Sequence, residues 1–192
     1  LFIDANALFD IKKIDNKYWL ATDNGLYSIS ENNENYTLIK HYTENNTTSS
    51  LSSDKVRSIE QFDDSHIWLG TDNGLNIINI LNDNISIHQN KDNPKAITDN
   101  WIMDIYKDSS GIFWLGTNGK GVNIYNPTQE YFPHSLFDFS NKSIGAFAET
   151  TNKKVWFILQ DVFLKSINLD GKISSDVITL DDNIFQMRAG DK

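Results

Sequence analysis

The sequence contains no cysteine, and this absence excludes several kinds of chemistry. Disulfide bonds, cysteine-ligated zinc and thiol nucleophiles all need a residue that the 192-residue chain lacks. No apolar run approaches the roughly 20 residues of a membrane-spanning helix, and the first residues are not expected to act as a signal peptide. Basic residues are few, 17 against 26 acidic ones, and the net charge of −9 argues against a nucleic-acid partner.

What the sequence does contain is a phrase that recurs along its length. Trp68 opens the copy Trp-Leu-Gly-Thr-Asp-Asn-Gly-Leu-Asn, and Trp19 opens a nearly identical copy before it. Trp114 opens a third copy, and a diverged fourth begins at Trp156. The tryptophans recur at intervals of roughly 40–50 residues, which is the period of a β-propeller blade. We number these repeats 1 to 4.

Each repeat predicts four short antiparallel strands, which we call a to d. In repeat 2 they are predicted at the following residues: 56–62, 66–71, 75–80 and 85–88. Between strands b and c, Asp72-Asn73-Gly74 predicts a tight hairpin whose central Asn and Gly both take positive φ. In repeat 4 the corresponding turn has lost its Asn-Gly.

The pattern therefore predicts an all-β chain, a β-propeller segment of about four four-stranded antiparallel blades plus the first strand of a fifth. We expect one partial propeller domain over residues 1–192. Its blades are predicted at about 5–42, 54–89, 100–135 and 142–180, with the next blade starting in 183–192. Because the chain starts at Leu1 in mid-pattern, we expect it to be a piece of a longer protein.

The repeated tryptophans are predicted to be structural. A large flat ring on strand b fills the wedge between neighbouring blades, and its N–H can reach a carbonyl. Equal spacing predicts equal burial for all four rings, which argues against sugar stacking by them. Gly70 and Gly116 are expected to allow a close approach of the backbone.

These residues resemble a known repeat. The segment Leu51–Ile59, the polar turn after it and Ile67–Leu75 look like the two-component regulator propeller repeat. Tyr106–Thr117, which reads Tyr-Lys-Asp-Ser-Ser-Gly-Ile-Phe-Trp-Leu-Gly-Thr, is the best single match. The resemblance is clear in three repeats and weak in the fourth.

The resemblance implies an extracytoplasmic sensor in a membrane-anchored signalling receptor, often a hybrid histidine kinase. It also implies a seven-bladed ring, of which this chain would be about half. Some members sense oligosaccharides, so an oligosaccharide or another small ligand is an expected partner. Membrane attachment and catalytic output would lie outside this chain. The remaining blades or a second copy of the chain are expected to cover its open ends.

A ligand is expected at one end of the central channel, where the first residues of each strand a lie. Aligning the repeats places Ala7, Lys55, Trp101 and Ser143 in one ring, and Phe9, Arg57, Met103 and Gly145 in the next. These positions vary although their flanks repeat, as a ligand pocket requires. The predicted ligand-binding residues are Lys55, Arg57, Trp101, Met103, Phe9 and Ser143.

Two interpretations of these side chains stay open. Trp101 is the one tryptophan out of phase with the repeat, and its indole either stacks on a sugar face or plugs a gap between blades. Lys55 and Arg57 either hold a uronate or sulfate or are solvated charges paired with nearby carboxylates.

No catalytic residues, metal site or cofactor are predicted. His41, His88 and His134 share a repeat position on the outermost strand, where neighbouring copies lie too far apart to converge on a metal. The Asp-Asn-Gly turns lack the distal Glu of a calcium loop. The sequence therefore favours a binding module, with a structural interaction module and, less favoured, a polysaccharide-degrading enzyme as alternatives.

Overall fold

The computed structural model of the chain describes residues 2–33, 35–46, 49–90, 96–128, 132, 141–159, 163–168 and 173–179, the last two through their backbone. These residues form fifteen strands, arranged as four antiparallel sheets. The chain divides into two compact units: unit 1 comprises Leu1–Asn90 and Asn100–Ile102, and unit 2 comprises Lys91–Asp99 and Met103–Lys192.

Unit 1 contains the two sheets of repeats 1 and 2. The first has the order β1 (Leu8–Ile14), β2 (Lys17–Thr22), β3 (Gly25–Asn32) and β4 (Asn35–Tyr42). The second has the order β5 (Val56–Gln61), β6 (His66–Thr71), β7 (Gly74–Asn79) and β8 (Ile85–His88). Each strand pairs with the one before it, so both sheets are simple up-and-down meanders.

The core of unit 1 lies between these two sheets. Trp19, Ala21 and Leu26 of the first sheet share one apolar cluster with Ile59 and Leu69 of the second. A hydrogen bond also joins strand a of one sheet to strand a of the other: the backbone N–H of Ile59 donates to Asp10 Oδ2 over 2.8 Å. Burial of alternating side chains from both sheets is what holds such a pair together.

Unit 2 contains most of the sheets of repeats 3 and 4. The sheet of repeat 3 consists of β9 (Ile102–Lys107), β10 (Phe113–Thr117) and β11 (Val122–Tyr125), in the order β11-β10-β9. That of repeat 4 has the order β12 (Ile144–Glu149), β13 (Lys154–Leu159), β14 (Phe163–Asn168) and β15 (Ile173–Thr179). Trp114 and Val122 pack with Val155 and Phe157 in the core of this unit.

The four predicted sheets are confirmed, and strand bounds agree to within a few residues. Three predictions fall outside the described residues: the fourth strand of repeat 3, His134, and the strand of a fifth blade in 183–192. The predicted blade boundaries and the single domain stay predictions.

The structural role of the tryptophans is confirmed for the first three. Trp19, Trp68 and Trp114 are each no more than 2% exposed. The prediction of equal burial is wrong for Trp156, which is half-buried while Val155 and Phe157 on the opposite face of β13 are buried. In repeats 1 and 3 the indole joins a core shared with the next sheet, and the residues after repeat 4 lie outside the described part of the chain.

A carbonyl was predicted to accept from the indole N–H, and this prediction is wrong for Trp114, whose partner is a carboxylate. Trp114 Nε1 donates to the carboxylate Oδ2 of Asp108, 2.7 Å away. Trp19 Nε1 is buried without a hydrogen-bond partner among the described residues.

The glycines after the tryptophans do allow close approach. A Cβ on Gly116 would lie 2.3 Å from the Ile144 carbonyl oxygen, and one on Gly70 would lie 2.5 Å from Ser58 Oγ. Both contacts are far inside van der Waals distance, so only glycine fits between these strands.

The hairpins between strands b and c form, but their conformation differs from the prediction. Gly25 and Gly74 take φ of 88° and 120°, whereas neither Asn24 nor Asn73 has positive φ. Asp and Asn therefore occupy the centre of each turn, and Gly follows as the residue that rejoins the ladder opposite Thr22 or Thr71. The threonine explains the difference, because Thr71 Oγ1 accepts from the Asn73 N–H and donates to the Gly74 carbonyl.

Candidate ligand-binding site

Three of the predicted residues come together in unit 1 around the guanidinium of Arg57. The Arg57 Cζ atom lies 5.4 Å from the centre of the Phe9 ring and 5.1 Å from the Trp101 ring. Phe9 is 42% exposed and Trp101 is 37% exposed, so both rings also present surface to solvent. An arginine flanked by two aromatic rings is stabilised by about 0.5–2 kcal/mol per contact and is held in one orientation.

The backbone explains why Phe9 and Arg57 can meet. The pairing of β1 with β2 shifts register between Leu8 and Asp10, and that of β5 with β6 shifts between Val56 and Ser58. Phe9 and Arg57 are therefore the extra residues of two β-bulges at equivalent places. A bulge turns the side chain of its extra residue out of the normal alternation, and here it directs both side chains to one cluster.

Asp72 completes the cluster and was missed by the sequence analysis, which interpreted it only as a hairpin residue. Its carboxylate accepts two hydrogen bonds from Arg57: from Nε to Oδ1, and from Nη2 to Oδ2 over 3.1 Å. The two side chains are 17% and 22% exposed. Parallel pairing of this kind fixes the guanidinium more firmly than a single contact would.

The hairpin that carries Asp72 also holds the neighbouring residues of the site. The Asp72 N–H donates to the Lys55 carbonyl over 3.3 Å, and the Gly74 N–H donates to the Asn100 carbonyl over 2.5 Å. This turn is thereby bonded to Lys55, two residues before Arg57, and to Asn100, directly before Trp101.

The equivalent hairpin of repeat 1 shows the signal that identifies Asp72. Asp23 Oδ1 accepts from the backbone N–H groups of Asn6 and Ala7, at the start of strand a. These bonds, with that to Ala7 the strongest, hold the pKa of Asp23 below its usual value. An aspartate that opens this hairpin thus faces the residues before and within strand a in both repeats.

The other predicted residues lie apart from the cluster or at its edge. The Lys55 side chain is exposed. Met103 and Ser143 belong to unit 2, where Met103 is half-buried and Ser143 Oγ bonds Asn118 Oδ1. In repeat 4 the register shift falls between Gly145 and Phe147, so its extra residue is Ala146, one position after the predicted Gly145.

The surroundings of this end of unit 1 are acidic. Tyr27 is buried, and burial followed by the charges of Asp4, Asp23 and Asp54 raises the pKa of its hydroxyl. A raised phenol pKa is the expected response to nearby negative charge, because ionisation would add another.

Neither a metal centre nor a membrane span is found in the described part of the chain. No three of its His, Asp and Glu side chains are grouped to hold a metal ion. None of its segments is a helix long and apolar enough to cross a membrane.

Comparison with protein families gives a match that is confined to one repeat. Residues 96–119 match the family described as two component regulator propeller. Comparison with curated protein sequences gives no match.

Solved structures resemble the chain over most of its length. The extracellular domain of the hybrid two component system BT3049 from B. thetaiotaomicron has a TM-score of 0.72 at 20% identity, covering 94% of this chain and 23% of that one. That of BT4673 from the same organism gives 0.71 at 20% identity, with 90% and 23% covered. Virginiamycin B lyase from Staphylococcus aureus gives 0.65 at 12% identity, with 92% and 56% covered.

The likeness to these solved structures establishes the fold, and the family match covers one repeat. The chain spans 23% of the length of the two extracellular domains that it resembles. The chain thus has a β-propeller fold, and its residues 96–119 match the two component regulator propeller family.

Proposed function

We propose that this chain is a ligand-sensing part of a membrane-anchored bacterial receptor of the two-component type, and that it lies outside the cytoplasm. The observation that carries the proposal is the two component regulator propeller repeat at residues 96–119. Likeness to extracellular domains of hybrid two component systems supports it. Membrane anchor and output domain are assigned to segments outside this chain.

The ligand proposed for the site is an oligosaccharide. Phe9 and Trp101 each present part of a ring to solvent, and the C–H face of a sugar packs well on such rings. Arg57, held between them, offers further N–H groups to hydroxyl oxygens. Met103 and Ser143 remain candidates from the repeat alignment.

The proposed mechanism is binding followed by conformational relay, with no chemistry on the ligand. Phe9, Arg57 and Trp101 lie on separate segments of unit 1, and one ligand that contacts all three would restrain those segments together. A restraint of this kind shifts the arrangement of a receptor only if the ligand prefers one arrangement.

Binding is tested by isothermal titration of the 192-residue chain with a panel of oligosaccharides. The substitutions Phe9→Leu and Trp101→Leu remove one ring each, and we expect each to weaken binding about tenfold or more, as lost aromatic stacking does. Tyr36→Leu is the matched control, since Tyr36 is a 49% exposed ring on the edge strand β4. Unchanged binding by both ring variants would contradict the proposed site.

The enzyme alternative is tested on the same panel. Incubation with the chain should leave every oligosaccharide intact by chromatography. New shorter or unsaturated products that require the chain would refute a purely sensing role.

A further inference from the structure

We infer that the Arg57–Asp72 pair makes this site select neutral oligosaccharides and reject acidic ones, with Asp72 as the residue that sets this preference. The inference rests on the proposed function. The aromatic rings can stack on neutral and acidic sugars alike, and the Arg57–Asp72 pair distinguishes between them.

The first step of the argument is charge. Asp72 accepts from both Nε and Nη2 of Arg57, so the positive charge has a matched negative charge within hydrogen-bonding distance. An anion approaching the pair is attracted by one charge and repelled by the other at similar range, and the two contributions largely cancel. A neutral hydroxyl loses nothing by this cancellation, because it interacts through hydrogen bonds.

The second step is the supply of hydrogen-bonding groups. A guanidinium has five N–H donors, and Asp72 accepts from two of its nitrogens. The other three donors and the second lone pair of each bonded carboxylate oxygen take no part in this pairing, so the pair has an edge with both kinds of group. Such an edge both donates and accepts, which suits a sugar hydroxyl because that group also does both.

The third step is geometry. The rings of Phe9 and Trp101 lie beside the guanidinium, and Asp72 takes its Nε side. An acidic group would have to displace Asp72 to form a two-point contact on that side. Displacement would leave the Asp72 carboxylate, which is 22% exposed, without its arginine.

The fourth step is the wider field. Asp4, Asp23 and Asp54 add negative charge at this end of unit 1, and after burial their charges help to raise the pKa of Tyr27. Lys55, two residues before Arg57, is exposed and brings one positive charge against these three negative ones. These carboxylates therefore repel an anionic ligand that approaches this end of unit 1.

The test compares three oligosaccharides of equal length, one neutral, one containing uronate and one sulfated, by isothermal titration. The wild-type chain should bind the neutral ligand about tenfold or more tighter than either acidic one. Asp72→Asn frees the arginine charge with little change of shape, and it should narrow or reverse this ratio by about tenfold. Asp63→Asn is the matched control, since Asp63 lies in the a–b turn of repeat 2 and pairs with His66.

A second measurement needs no variant. The dissociation constant of the neutral ligand for wild type should change by less than about twofold when salt is raised from about 0.1 M to about 1 M. Over this range the Debye length falls from about 10 Å to about 3 Å. Tighter wild-type binding of an acidic ligand, or an unchanged ratio in the folded Asp72→Asn variant, would overturn the inference. If no saccharide binds the wild-type chain, the proposed function itself fails and the inference with it.

Discussion

Repeats 1 and 3 each bury a tryptophan at the equivalent position, but they treat its N–H group differently. Trp19 and Trp114 are 1% and 2% exposed, so the two rings are buried to the same extent. The N–H group of Trp114 donates to Asp108, whereas that of Trp19 has no partner among the described residues. The difference arises in the turn between strands a and b. In repeat 3 this turn contains Asp108, whereas in repeat 1 it consists of Asp15 and Asn16 alone.

The comparison shows that burial and polar satisfaction have separate origins. Asp108 also accepts from the backbone N–H groups of Ser110 and Ile112, so one carboxylate folds the turn and receives the indole. Repeat 1 has no counterpart, and its indole is supported instead by stacking on Tyr42, with ring centres 6.1 Å apart. Its core therefore carries a buried N–H group at a cost that repeat 3 avoids.

The largest expected effect comes from removing the carboxylate of repeat 3. Asp108→Ala leaves the indole and two backbone N–H groups without their acceptor, and we expect it to lower the free energy of unfolding by about 3 kcal/mol. Urea unfolding followed by circular dichroism measures this change. Asp64→Ala, an exposed aspartate in the corresponding turn of repeat 2, should change stability by less than about 0.5 kcal/mol. Equal losses in the two variants would contradict this role for Asp108.

A middle-sized effect comes from replacing each indole by a ring without an N–H group. Trp114→Phe and Trp19→Phe remove the same volume, so the difference between them reports the hydrogen bond. Because Trp114→Phe also leaves one oxygen of the buried Asp108 without its donor, it should cost about 2 kcal/mol more than Trp19→Phe. The same urea experiment measures both, and a larger loss at Trp19 would show that the comparison is wrong.

The smallest effect concerns the support of Trp19. The Tyr42 hydroxyl donates to Asp83, which also pairs with Lys40, and these bonds, with that to Lys40 the larger, hold the pKa of Asp83 below its usual value of 3.8. A carboxyl with a lowered folded-state pKa stabilises the fold above about pH 4, and the contribution is lost as pH falls through the folded pKa. Asp83 is 42% exposed, so we expect less than about 1 kcal/mol.

This pH effect is measured by comparing urea midpoints of wild type and Asp83→Asn near neutral pH and near pH 3. Asparagine tolerates the positive φ of 63° at this position, so the backbone should not change. The gap between the two proteins should shrink toward acid. A gap that stays constant would show that Asp83 does not act through its charge.

The sheets could be predicted because their causes are local and repeated. The tryptophan phrase, the period-2 alternation and the glycine turns all lie in short stretches, and β5 to β8 begin and end within one residue of the prediction. The detailed turn conformation was predicted wrongly, because Thr22 and Thr71 bond their own hairpins through hydroxyls that the Asn-Gly rule does not consider.

The site was only partly predictable because two of its causes are not local. The bulges at Phe9 and Arg57 are shifts of register between strands, which neither strand shows by itself. Asp72 looked like any turn aspartate, and its pairing with Arg57 depends on where the neighbouring strand places that side chain. Trp101 was recognisable because it interrupts the periodicity of the other tryptophans.

The hairpin of repeat 2 fixes the positions of the residues in the candidate site. Bonds from Asp72 and Gly74 set the spacing of the chain at Lys55, Arg57 and Asn100, the last beside Trp101. Lengthening that turn by one residue would shift all of these groups together. If the proposed site binds a ligand, the length of this turn therefore sets its preference, without exchange of an aromatic ring or the arginine.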